Sequence, residues 1–121
     1  MSILIIHNED SVWSPASVVG QVFRAQVRSI ETLVETPSGL TEIVSDEINI
    51  TLDSFDTFLT SVESYFSRTN NDQLVLLVTG CLELLYIIYH ELTTLWRTVP
   101  AMLDETLLRA KVRGEYGLWP K

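Results

Sequence analysis

Residues 74–96 read LVLLVTGCLELLYIIYHELTTLW, and the reading of this stretch decides the fold. It is too apolar for a surface and too long and uniform for a strand. It is expected to form the central helix of a small bundle. A helix that is apolar nearly all round needs neighbours on nearly every side. The outward residues Leu76, Leu82, Tyr86 and Tyr89 exceed what one bundle seam needs. That surplus predicts a homo-oligomer, a dimer first of all, or a second protein on the same surface.

A membrane span is the main rival for this helix. Its uninterrupted apolar run, residues 74–89, has sixteen positions with Glu83 near the middle. A span takes about 20 apolar residues. A carboxylate at its centre costs roughly 2.5–3.5 kcal/mol on insertion scales. His90, Glu91, Thr93 and Thr94 then stop the run, and neither flank carries a basic cluster. The expectation is a buried soluble helix rather than a membrane one.

Working outward on the N-terminal side, Thr69-Asn70-Asn71-Asp72 is a loop whose last residues, Asn71 or Asp72, supply the N-cap. Before it, Leu40, Ile43, Val44, Ile48, Leu52, Phe55, Leu59, Val62 and Phe66 recur at spacings of three and four. They predict one helix over residues 40–68 with an acidic outer face. Its weak spot is Ile48-Asn49-Ile50-Thr51, where three β-branched residues and an Asn lower helix propensity. Thr36-Pro37-Ser38-Gly39 makes a turn. An earlier helix starts at Ser14-Pro15 and places Val18, Val19, Val22, Phe23, Val27, Ile30, Leu33 and Val34 along one side. Arg24, Arg28, Glu31 and Glu35 fall on the other side. Residues 1–13 hold a single strand-like run, Ile3 to His7. One strand alone is unstable, so this segment is expected as an extended arm over a groove, or paired with the same arm of a second copy.

On the C-terminal side, Pro100 fits the first turn of a fourth helix. Asp104 and Glu105 fall early in it and Arg109, Lys111 and Arg113 late, which suits the helix dipole. Gly114 ends it. Residues 115–121 carry Tyr116, Leu118 and Trp119 and read as a docking tail. The expected architecture is therefore all-α: one domain, residues 1–121, of about four helices around residues 74–96.

Bulk composition agrees with a globular protein. The chain has 121 residues, 46% hydrophobic and 20% charged, which is one ordinary domain able to bury a core. The net charge is −8. Between residues 31 and 91 there are eleven acidic side chains and one basic, Arg68. That argues against nucleic acid and against anionic membranes, which both need a cationic footprint. One cysteine, Cys81, excludes an internal disulfide and, with no signal-like segment at residues 2–6, points to an intracellular, cytoplasmic, soluble protein.

No catalytic signature is complete. His90-Glu91 opens like the HExxH zinc motif, but Thr94 stands where the second histidine is required. His7 is the only other histidine. Glu83 and His90 are two turns apart on one helical face and are the one acid–base couple open to an enzyme reading. Glu42, Asp46, Asp53 and Asp56 lack the ligand spacing of a calcium loop. There is no phosphate-binding glycine motif and no GxSxG elbow. No cofactor or metal is expected. Trp13, Trp96 and Trp119 fall near helix junctions, where they cap a core.

The function expected on these grounds is a non-enzymatic protein-interaction or oligomerisation module, of the kind a virus or phage encodes as an accessory or structural protein. Its surface would draw on Leu76, Leu82, Glu83, Tyr86, Tyr89, His90, Trp96 and Trp119. The alternatives are a protein that carries an apolar ligand or meets a membrane, and a small enzyme using Glu83 and His90.

Overall fold

The computed structural model describes residues 2–97, 100 and 103. In chain order it contains β1 (Leu4–His7), β2 (Asp10–Trp13), α1 (Ser17–Val34), β3 (Glu47–Asn49), α2 (Leu52–Arg68) and α3 (Asp72–Thr93). The fold is α+β, with three helices and a three-stranded mixed sheet among the described residues. The expected all-α helical bundle is therefore corrected. The expected fourth helix and the tail with Trp119 lie outside the described residues. Two compact units divide the chain, Met1–Thr69 and Asn70–Lys121.

The first correction is at the N-terminus. The arm is the middle strand of a sheet of order β2-β1-β3. β1 pairs antiparallel with β2, His7 opposite Asp10, and parallel with β3, Ile5 opposite Ile48. Its backbone groups are thus satisfied within one chain. The hairpin turn is Asn8-Glu9, with φ of 49° and 69°. Positive φ at both central positions is the type I′ two-residue hairpin. Asn tolerates that region, whereas Glu enters it against its Cβ.

The second correction is at residues 40–51. Instead of one helix, the chain makes a tight turn at Ser45-Asp46, φ 53° and 60°, closed by two hydrogen bonds of 3.0 Å between Val44 and Glu47. It then enters β3. Ile48 and Ile50 are buried while Asn49 and Thr51 are exposed. That is the period of two that a half-buried strand requires. The β-branched residues that weakened the helix reading are the ones that suit a strand.

α1 begins later than its Ser14-Pro15 signal, at Ser17, with no side-chain cap. It ends at Glu35, which caps it in the left-handed conformation. Its buried residues are Gly20, Phe23, Arg24, Val27 and Ile30. Gly20 lets the helix approach Ile3 closely: a Cβ there would stand 2.9 Å from the Ile3 side chain. Phe23 meets Trp13 edge to face, ring centroids 5.3 Å apart. α2 packs on α1 and buries Phe55, Phe58, Leu59, Val62 and Phe66. Asp53 in its first turn and Arg68 in its last complement the helix dipole.

Arg24, expected on the polar side of α1, is 5% exposed. Its Nε donates to the Thr41 carbonyl at 2.9 Å and its Nη2 to the Leu40 carbonyl at 3.1 Å. Its Nη1 reaches Glu31 at 3.4 Å and its Nη2 reaches Glu42 at 3.3 Å. Glu31 in turn accepts from the backbone N–H and the hydroxyl of buried Ser38, at 2.8 and 2.6 Å. One guanidinium therefore ties α1 to the segment leading into β3. On the rim, Arg28 bonds Glu42 and holds its carboxyl below the usual carboxylate range.

Two outcomes follow. Replacing Arg24 with Ala strands two carbonyls and a carboxylate in a buried setting, and should cost about 3 kcal/mol of unfolding free energy. Denaturant titration should show this, while exposed Arg28→Ala changes little; equal effects of the two would refute the clamp. Glu9→Gly removes a side chain from a left-handed turn position and should stabilise by about 1 kcal/mol. A lower melting temperature would contradict the turn geometry.

Candidate interaction surface

α3 is capped by Asn71, whose side chain accepts from the Leu74 N–H at 3.1 Å. It ends at Thr93, with Thr94 in the left-handed conformation. The helix changes character along its length. Its first two turns expose Gln73, Leu76, Leu77 and Gly80, while its second half buries Cys81, Leu82, Leu85, Tyr86, Ile87 and Ile88. Leu76 is 79% and Leu77 75% exposed.

The residues proposed for the surface thus separate. Leu82 and Tyr86 are closed to solvent and serve the core. Leu76 is displayed to solvent, together with its neighbour Leu77. Glu83, Tyr89, His90 and Trp96 are half-buried. His90 stacks on Trp96, centroids 4.1 Å apart and planes 14° from parallel, with its Nδ1 3.3 Å from the Leu95 carbonyl. Arg97 lies over the Tyr89 ring at 5.2 Å. These contacts fold the residues after Thr94 back along the last turn of α3. They occupy the His90 ring in stacking. Trp119 lies outside the described residues.

A second apolar surface was not anticipated. Val18, Val19 and Val22, read as core from their spacing, are 71%, 44% and 54% exposed. α1 is rotated so that Phe23, Val27 and Ile30 face inward and these valines face out. The signal in the sequence was an apolar arc too wide for one packed face.

The described pockets are shallow. The largest, about 460 Å³, is an open trough at the C-terminal ends of α1 and α2. It is lined by Leu33, Val34, Glu35 and the hydroxyl-bearing Thr60, Ser61, Ser64 and Tyr65, with Arg68 at its edge. Arg68 spends its Nε on the Ser64 carbonyl at 3.1 Å.

Cys81 is buried, and burial pushes its thiol up to about 12. Because the thiol ionises more readily in the unfolded chain, its contribution to stability is full below the ordinary value of 9.0 and is lost as pH rises toward about 12. At pH 9.0, the ordinary thiol value, iodoacetamide should leave native protein unmodified and alkylate it once denatured. Rapid labelling of the native protein would overturn this placement.

Comparison with characterised proteins and with solved structures finds no match. A family model does match, over residues 1–114, nearly the whole chain. The chain therefore belongs to DUF6086, a family of unknown function.

Proposed function

We propose that this protein is a non-enzymatic module that works by association, with itself or with another protein. The observation that carries the reading is the display of Leu76 and Leu77, each at least three-quarters exposed, on an ordered and capped helix. Large apolar side chains scattered singly need no explanation, but adjacent ones on a rigid element are costly to leave in water. Association recovers that cost, about 25 cal/mol per Å² of apolar surface covered. The exposed valines of α1 add a second such surface.

One observation favours a second reading. α3 has 22 residues and is long and apolar enough to cross a membrane by length and composition. At about 1.5 Å per residue it reaches the roughly 30 Å of a hydrocarbon core. Glu83 in its middle and the burial of its second half weigh toward a protein partner instead.

Sedimentation equilibrium of the purified chain, with and without liposomes, tests both. The association reading expects a multiple of 13.7 kDa in buffer and no flotation with lipid. A monomer that floats with liposomes would replace it with the membrane reading. A monomer that ignores lipid and acquires no partner would remove both.

A further inference from the structure

We infer that the outward face of α1 is the seam of a homodimer, in which α1 of one copy packs along α1 of a second. This rests on the association reading above and names a partner for the second surface given there, the exposed valines of α1.

The argument begins with rotation about the helix. Val18, Val22, Ala25, Ser29 and Thr32 are all exposed. Their spacing of four, three, four, three keeps them on one line along the helix, apolar at Val18, Val22 and Ala25 and hydroxyl-bearing at Ser29 and Thr32. With about 3.6 residues per turn, this set centres on the direction opposite Gly20, Phe23, Arg24, Val27 and Ile30, which α1 buries in its own unit. α1 is therefore two-sided. One face is used by its own fold, and the other is an uncharged, exposed line led by Val18 and Val22. From Val18 to Thr32 the seam runs about 21 Å. Val19 widens it on one flank. Ala25, its middle position, is small enough to let two backbones come close.

Charge favours a second copy as the occupant. The chain carries −8 overall, so two copies repel unless the touching faces lack carboxylates. Residues 11–30 hold no aspartate or glutamate, the longest such run in the sequence. Its two arginines are already neutralised, Arg24 by Glu31 and Glu42 and Arg28 by Glu42. The face is therefore neither acidic nor basic. It offers nothing to a charged partner and does not repel its own copy. A matching helix must show uncharged residues at the same repeat. α2 does not, because Asp53 and Asp56 interrupt its exposed side. α3 does not, because its exposed face gives way to buried residues after Gly80. Among the described helices α1 alone matches α1, and a two-fold axis makes the face self-complementary.

The test compares two double variants of the full chain by sedimentation equilibrium, with circular dichroism as the check on folding. Val18→Asp/Val22→Asp places carboxylates on the seam and should shift a dimer to a monomer. Leu76→Asp/Leu77→Asp, on α3, should leave it dimeric. All four positions are exposed, so folding should survive. Independently, Ala25→Cys should cross-link into a disulfide dimer under mild oxidation, while Val44→Cys, exposed but off the seam, should not; buried Cys81 stays out of the reaction. If the wild type is a monomer, the association reading fails with this one. If it is a dimer that only the α3 variant dissolves, or if Ala25→Cys does not cross-link, the α1 seam alone is wrong.

Discussion

The buried guanidinium of Arg24 is the contact on which the first unit depends. Three pieces of chain converge there: the middle of α1, the turn at Ser38, and the Leu40–Thr41 backbone. The carbonyls at 40 and 41 come before a strand and cannot all find partners in a three-stranded sheet. Arg24 supplies the donors, and Glu31 balances the charge while accepting from Ser38. A desolvated charge is tolerable only when paired and fully hydrogen-bonded, and this one is.

The position of β3 follows from that clamp. With residues 38–41 fixed against α1, the Ser45-Asp46 turn delivers Ile48 beside Ile5, and β1 gains its parallel neighbour. Gly39, at φ +81°, lets the chain pass within van der Waals reach of the start of α2; a Cβ there would stand 2.7 Å from the Thr51 carbonyl. Thr51 donates back to the Gly39 carbonyl at 2.8 Å. The same geometry turns α1 so that its valines point away from the core. Arg24 shares that inward face with Phe23, Val27 and Ile30, which leaves the valines outside.

Much of the helical content was legible from residues alone. Asn71 as the cap of α3, the break at Thr36–Gly39, and the inward Phe55, Leu59, Val62 and Phe66 of α2 all follow from periodicity and capping. The sheet was not legible, for two physical reasons. Both tight turns, Asn8-Glu9 and Ser45-Asp46, lack glycine and so hide the usual hairpin signal; only Asn8 and Asp46 hint at left-handed backbone. In addition, Leu40, Ile43, Val44 and Ile48 satisfy a helical spacing, while Ile48 and Ile50 also satisfy alternation, and a short segment fits both. At the surface, Leu76 was legible as surplus apolar area. Val18 and Val22 showed only as part of an apolar arc too wide for one packed face, because Arg24 shares the inward side with Phe23, Val27 and Ile30.

The central claim is that Arg24 is locked into the segment preceding β3. Solvent exchange of its Nε–H, followed by NMR, measures this directly. The account predicts a resolved Nε–H resonance that exchanges slowly, with protection like that of the β3 amides and well above that of exposed Arg28. An Arg24 Nε–H exchanging as fast as that of Arg28 would contradict it.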